Sequence, residues 1–253
     1  MKKYLAVMMA LAMTAGMGMA AMAAETEAEA DDPKGEGVMT YEEFMNAEVD
    51  DEVVVEAYVQ AKQAWYEGNE SRGTDTATVY AQDHDGGYFF YDMECSAEDY
   101  EKLVPGTKIK VTGYKAEWSG EIEIADATFE FEDGEYIAEP VDVTELLGDE
   151  EAIAAYQNQK VAFKGLTVEA ADDSGAAFLY NWDGSGTDGN DLYFNVSLDG
   201  NTYSFTVESY LCDNTTDVYK AVKELKVGDV VDLEGFLYWY EGINPHITAV
   251  SVQ

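Results

Sequence analysis

The chain predicts a mainly β protein made of two tandem five-stranded barrels. Three observations carry that expectation: an internal repeat that aligns without a gap, apolar runs rich in β-branched and aromatic residues, and one short helix at the same place in each copy. "LVPGTKIKVTGYKAEWSG" from residue 103 aligns with "LKVGDVVDLEGFLYWYEG" from residue 225, an offset of 122. Leu103, Gly106, Gly113 and Gly120 fall on Leu225, Gly228, Gly235 and Gly242, and apolar Ile109 and Val111 fall on Val231 and Leu233. Upstream, "EVVVEAYV" matches "QKVAFKGLTV", "TATVYAQD" matches "AAFLYNWD", and "GGYFFYDMEC" matches "NTYSFTVESYLC".

In chain order, residues 1 to 24 begin with Lys2 and Lys3, continue as an apolar run and end with small residues at Ala21 and Ala23. This is the pattern of a secretory signal peptide, so the mature protein is expected outside the cell or in its envelope, with no membrane insertion after cleavage. Residues 25 to 37, "ETEAEADDPKGEG", carry many charges and nothing apolar larger than alanine, and read as an acidic disordered tether. The first copy spans 38 to 138 and the second 139 to 253. Thr40 and Glu43 form a T-x-x-E capping box for a short lead-in helix with Phe44 and Met45 on its apolar face. "EVVVEAYVQAKQAWY" follows as a long first strand. "SAEDYEKL", 96 to 103, and "TDVYKAVKEL", 216 to 225, are the helices between third and fourth strands, each ending one turn before a Gly that can close it. Between the copies Pro140 interrupts an extended run, and "TELLGDEEAIAAY" has a helical pattern, a second lead-in helix.

The L-x-x-G-x-x-[IV]-x-[VL]-x-G stretches at 103 to 113 and 225 to 235 resemble the helix exit and fourth strand of OB-fold domains in secreted bacterial proteins, including OB modules of exported nucleases. The resemblance covers nearly all of the mature chain and implies two OB barrels with ligands across strands two and three and between loops one-two and four-five. Its motif is structural and implies no activity.

Charge narrows the partners. The chain has 52 Asp and Glu against 14 Lys and Arg, a net charge of -38, which becomes -40 once Lys2 and Lys3 are removed. Such a surface repels phosphates and anionic lipids, so nucleic acid is not the expected partner. The two histidines enter no Ser-His-Asp, Cys-His or zinc spacing, there is no phosphate-cradling glycine loop, and no carboxylate pair stands out, so no enzyme and no cofactor is expected. The expected function is a non-enzymatic binding module for carbohydrate, peptide or protein. The alternative is an exported OB-fold nucleic-acid-binding protein.

Aromatic residues near the loops are the candidate ligand contacts: Trp65, Tyr66 and Trp118 in the first copy, and Trp182, Trp239 and His246 in the second. Core filling and packing between the copies are the competing uses of these rings. Simple alternation after Ile109 and Val111 would bury Lys115 and Glu117, so a bulge at Gly113 is expected to turn Tyr114, Ala116 and Trp118 inward. The same exchange at Gly235 would put Phe236, Tyr238 and Tyr240 in the core and leave Leu237 and Trp239 outside. "NWDGSGTDGNDLYF" offers Asp183, Asp188, Asn190 and Asp191 as a weak calcium site, with turn chemistry as the simpler reading. Asp83, His84 and Asp85 are a second, less specific metal triplet. Cys95 and Cys212 occupy matching places, either bridged between the copies or present as two buried thiols.

Overall fold

The computed structural model describes residues 34 to 253, which fold as two successive sheets; the expected signal peptide, 1 to 24, and residues 25 to 33 of the expected tether lie outside the described residues. The first sheet comprises β1 (Glu52–Lys62), β2 (Tyr66–Asn69), β3 (Thr74–Gln82), β4 (Gly87–Glu94), β5 (Thr107–Trp118) and β6 (Glu121–Glu135), with α1 (Tyr41–Asn46) before it and α2 (Ala97–Lys102) between β4 and β5. The second comprises β7 (Val141–Asp142), β8 (Lys160–Glu169), β9 (Leu179–Tyr180), β10 (Leu192–Leu198), β11 (Asn201–Val207), β12 (Val230–Phe236) and β13 (His246–Val252). It carries α3 (Glu150–Ile153) ahead of β8 and α4 (Asp217–Glu224) between β11 and β12.

In the second sheet the order β8-β12-β13-β11-β10 returns to β8 through a β8–β10 pairing, closing a five-stranded barrel with parallel β11 and β13. That is the OB strand order, helix included. The first sheet runs β1-β5-β6-β4-β3, with β1 also paired to β3 and β4 parallel to β6 at Phe90 and Ile124.

Local chemistry explains the repeat. Thr40 and Glu43 make both bonds of the capping box, and Ser96 and Thr216 cap α2 and α4 through their hydroxyls, each worth about 1 kcal/mol. After each inter-strand helix the chain must turn through a left-handed residue, and Gly106 and Gly228 have φ of 93° and 94°. Ile109, Val111, Val231 and Leu233 are all buried, as the register predicts.

Three expectations change. Lys34 donates to the Glu56 carbonyl and pairs with Asp83 at 2.6 Å, so the end of the tether packs on the fold. The second lead-in helix is broken into a 3-10 turn, the four-residue α3 and another 3-10 turn, because Gly148 takes φ 99°. Of the two alternatives for Cys95 and Cys212, the buried thiols hold: they are unbridged, and each lies in the core of its own sheet.

The third is the face exchange at Gly113, which does not occur: Lys115 is buried, whereas Tyr114 and Trp118 are exposed. The register shift opposite Gly113 puts the extra residue in β6, where Asp126 has φ 49°. Lys115 is affordable inside because its ammonium donates to the Met45 and Ala47 carbonyls at 2.7 and 2.8 Å, satisfying the open end of α1. Gly113 serves close strand approach instead, since a Cβ there would lie 2.7 Å from Ile124 Cγ2 and 2.8 Å from the Ala125 carbonyl. The second sheet does not exchange faces at Gly235 either: Leu237 is buried in the barrel core rather than outside, Phe236 is buried at the seam against Tyr80 and Phe89 rather than in that core, Tyr238 is half buried there, and Tyr240 is half exposed.

The two sheets meet along a mixed seam. Tyr80 stacks on Phe236 at 4.4 Å and shares a 2.9 Å hydrogen bond with His246 Nδ1. Asn158 and Gln157 donate to the Ile122 and Gly120 carbonyls, and the Lys160 N–H donates to Gln82. Gly87 admits the approach, because a Cβ there would lie 2.3 Å from the backbone of Asn158. Among the described residues no helix is long and apolar enough to cross a membrane.

Candidate ligand-binding clefts

Two clefts collect most of the expected aromatic residues. The larger, about 580 Å3, lies in the seam. Its floor comes from the first sheet, with Thr76 and Thr78 on β3, Phe89, Tyr91 and Asp92 on β4, and Trp65 and Tyr66 at the start of β2. Its roof comes from the second sheet through Glu208, Tyr210, Tyr238 and His246. The Trp65 indole N–H donates to the Cys95 carbonyl at 3.0 Å, which fixes the ring. Tyr238 stacks on His246 at 4.3 Å and meets Phe89 edge-on at 5.4 Å.

The titratable groups here are set by burial. His246 is pushed down to about 3 and stays neutral. Glu208, buried and beside Asp191, is pushed up to about 7, even though its carboxylate accepts the Tyr210 and Leu211 N–H groups at 3.0 and 2.9 Å. No Lys or Arg is among the residues that line this cleft.

The smaller cleft, about 260 Å3, crosses β10 and β11 of the barrel. Tyr193, Asn195 and Ser204 form its floor, Leu179 and Trp182 come from the loop between the first two barrel strands, and Tyr240, Ile243 and Asn244 from the loop between the last two. Every lining residue is uncharged. Trp182 is 76% exposed and Tyr240 50%, so two large rings stand at the lips of a polar floor. The floor is partly pre-set: Asn195 donates to the Ala170 carbonyl, and Asn244 accepts from Thr206. Its two amides each retain groups for a ligand.

The remaining expected contacts fall elsewhere. Trp118 is 61% exposed and lines neither cleft. Trp239 is half buried and packs on the turn between β5 and β6, its ring where a Cβ on Gly120 would lie at 2.7 Å, while its backbone N–H donates to Glu121. The expected metal ligands do not converge: Asp183 accepts from the Ser185 N–H, Asp188 pairs with Lys223, Asn190 accepts from the Thr187 N–H, and Asp191 accepts from Ser209. These are turn and anchoring roles, and among the described residues no group of three or more His, Cys, Asp or Glu could hold an ion. Asp83 of the second triplet is likewise occupied, by Lys34, Tyr88 and the Asp85 and Gly86 N–H groups. Asp92, Glu208 and Tyr210 were not marked by the sequence, where they read as ordinary strand and turn residues.

No protein-family model matches the chain, and no curated protein is significantly similar to it. Solved structures with similar folds include the p204 HINb domain, at 10% identity and a TM-score of 0.35, covering 82% of this chain and 100% of that one. A murine DNA-binding protein bound to double-stranded DNA matches at 12% identity and a TM-score of 0.33, covering 80% and 98%. A replication protein A heterotrimer bound to single-stranded DNA matches at 15% and 0.35, covering 83% of this chain and 52% of that one. At such scores the fold assignment rests on the strand order of this chain itself.

Proposed function

We propose that the chain is a secreted, non-enzymatic binding protein of two tandem OB-like barrels that holds a neutral carbohydrate on the β10–β11 face of the second. One observation carries the reading: Trp182 and Tyr240 present exposed rings over a floor of Asn195, Ser204 and Asn244 that has no charged residue, in a chain of net charge -38. Sugar C–H faces stack on such rings while amides and hydroxyls bond the ligand hydroxyls. The cleft offers no carboxylate or imidazole for acid-base work, which supports binding rather than turnover.

Nucleic acid is the competing class, because exposed rings on an OB face also suit unstacked bases. Against it stand the acidic charge and the absence of Lys and Arg from the linings of both clefts. An array of neutral glycans and single-stranded oligonucleotides, read with the unmodified protein and Trp182→Ala, separates the two. Glycan binding weakened at least tenfold by the substitution supports the reading. Oligonucleotide retention at physiological salt, lost in the same variant, would transfer the cleft to nucleic acid. Export is checked by N-terminal sequencing of protein recovered outside the cell, expected to begin near residue 25.

A further inference from the structure

The seam cleft has chemistry opposite to that of the neutral cleft and requires both sheets. Trp65, Phe89 and Tyr91 come from one side and Tyr238 from the other, so its walls are aromatic. Asp92 and Glu208 supply carboxylates from opposite sides. Glu208 is nearly inaccessible to solvent and is fixed by two backbone N–H groups, which makes it a preorganised anion rather than a mobile surface charge. The imidazole in the same wall is held neutral by burial and no lining residue is cationic; the one guanidinium beside these rings, Arg72 at 5.8 Å from the Tyr91 ring centre, is paired with Asp126. Anions flanked by electron-rich ring faces in a partly dry cavity attract organic cations.

We infer that the seam cleft is a second binding site, for a primary ammonium or guanidinium group carried on a flexible chain, held by Asp92 and Glu208 between the rings of Trp65, Tyr91 and Tyr238. The aromatic walls take the methylene stem, and the carboxylates take the charged head. A neutral or anionic ligand would leave Glu208 without a counter-charge when ionised, so the site discriminates by charge. The site needs the two sheets docked, since neither holds both carboxylates.

Binding is coupled to protonation of Glu208. The groups near this carboxyl are Asp191, Tyr80, Tyr193, Tyr238, Cys212 and neutral His246. With Glu208 titrating about 7, a cation favours its ionised form, so affinity rises as pH goes from 6 to 8.

Calorimetric titration of the full mature chain at about 150 mM salt, where long-range attraction is screened, tests this. The probes are N-acetyl-Gly-Lys-Gly-amide, its Arg analogue, the ε-acetyl-lysine form of the first, and cadaverine. The cationic peptides are expected to bind and the acetylated one to bind at least tenfold more weakly. Asp92→Asn and Glu208→Gln should each weaken binding tenfold or more; Asn suits the φ of 47° at position 92, so the first variant keeps the fold if the second does not. The remote double substitution Glu145→Gln with Glu151→Gln removes the same charge as both and should leave affinity unchanged. Cadaverine binding as well as the peptides assigns free amines to the site, and weaker cadaverine binding assigns basic peptide side chains. Equal affinity for the acetylated peptide, equal weakening by the remote pair, or no binding of any probe would overturn the inference. None of these results bears on the neutral cleft, whose residues are untouched.

Discussion

Replacing Glu121 by glutamine should stabilise the protein at neutral pH and leave it unchanged in mild acid. Glu121 is fully buried at the seam, where its Oε2 accepts the Trp239 N–H at 2.8 Å. Its Oε1 and the Oδ1 of neighbouring Asn158 are both buried without a well-formed hydrogen bond; Asn158 Nδ2 donates to the Ile122 carbonyl, and its attraction for the Glu121 carboxylate is outweighed by burial. Two acceptors and no hydrogen is a costly arrangement, and one proton on Glu121 resolves it. Burial, with the charge of Glu123 adding to it, holds the Glu121 carboxyl well above the ordinary carboxylate range. The phenols of Tyr41, Tyr80 and Tyr238 share its surroundings.

The sign follows from proton counting. An unfolded Glu ionises near about 4.3, so above that pH the unfolded chain has lost a proton that the native chain keeps. Stability is therefore complete below that value and falls as pH rises, by about 1.4 kcal/mol per pH unit, until the native carboxyl ionises too. Glutamine has the shape of the protonated acid, accepts from Trp239, donates to Asn158, and has no proton to lose. Glu208, pushed up to about 7, bends the curve of either chain equally, whereas Glu123, also about 7, is coupled to Glu121 and adds to the difference as it ionises. Urea melts at intervals from pH 4.5 to 8, at fixed ionic strength, should show the Glu121→Gln advantage growing with pH. Parallel stability curves would refute the buried acid.

Three other substitutions probe the packing. Lys115→Met should cost about 1 to 3 kcal/mol, because the Met45 and Ala47 carbonyls lose their donor; unchanged urea midpoints would mean that water replaces the ammonium. Gly235→Ala should cost about 3 kcal/mol or more, since its Cβ would meet the His246 carbonyl oxygen at 2.2 Å, while Gly175→Ala, with open space and φ 81°, should cost about 1 to 2. Equal midpoints for the two alanine variants would contradict the close approach of β12 and β13.

Much of this architecture was legible because it repeats. Leu103 and Leu225, Gly106 and Gly228, and the two helix caps are local features whose physics is complete within a few residues. Lys115 was misplaced because its partners are the carbonyls at the end of α1, about 70 residues earlier, and a pattern of alternation cannot show a distant acceptor. Gly113 and Gly235 mark close strand approach in both sheets, not a reversal of faces. Trp118 and Trp182 look alike in sequence, yet only Trp182 has a polar floor beside it. The seam cleft depends on how one sheet docks on the other, so Asp92 and Glu208 carried no sequence signal, although Trp65, Tyr66 and His246 were already marked.

The four tryptophans occupy four different environments, so the indole N–H resonances of the 15N-labelled protein report each one separately. Titrating neutral oligosaccharides into that sample tests the central claim directly: binding should shift the Trp182 resonance in a saturable way and leave those of Trp65, Trp118 and Trp239 in place. Saturable binding that shifts Trp118 or Trp65 and leaves Trp182 unmoved, or a Trp182 shift produced by single-stranded DNA and by none of the sugars, would contradict it.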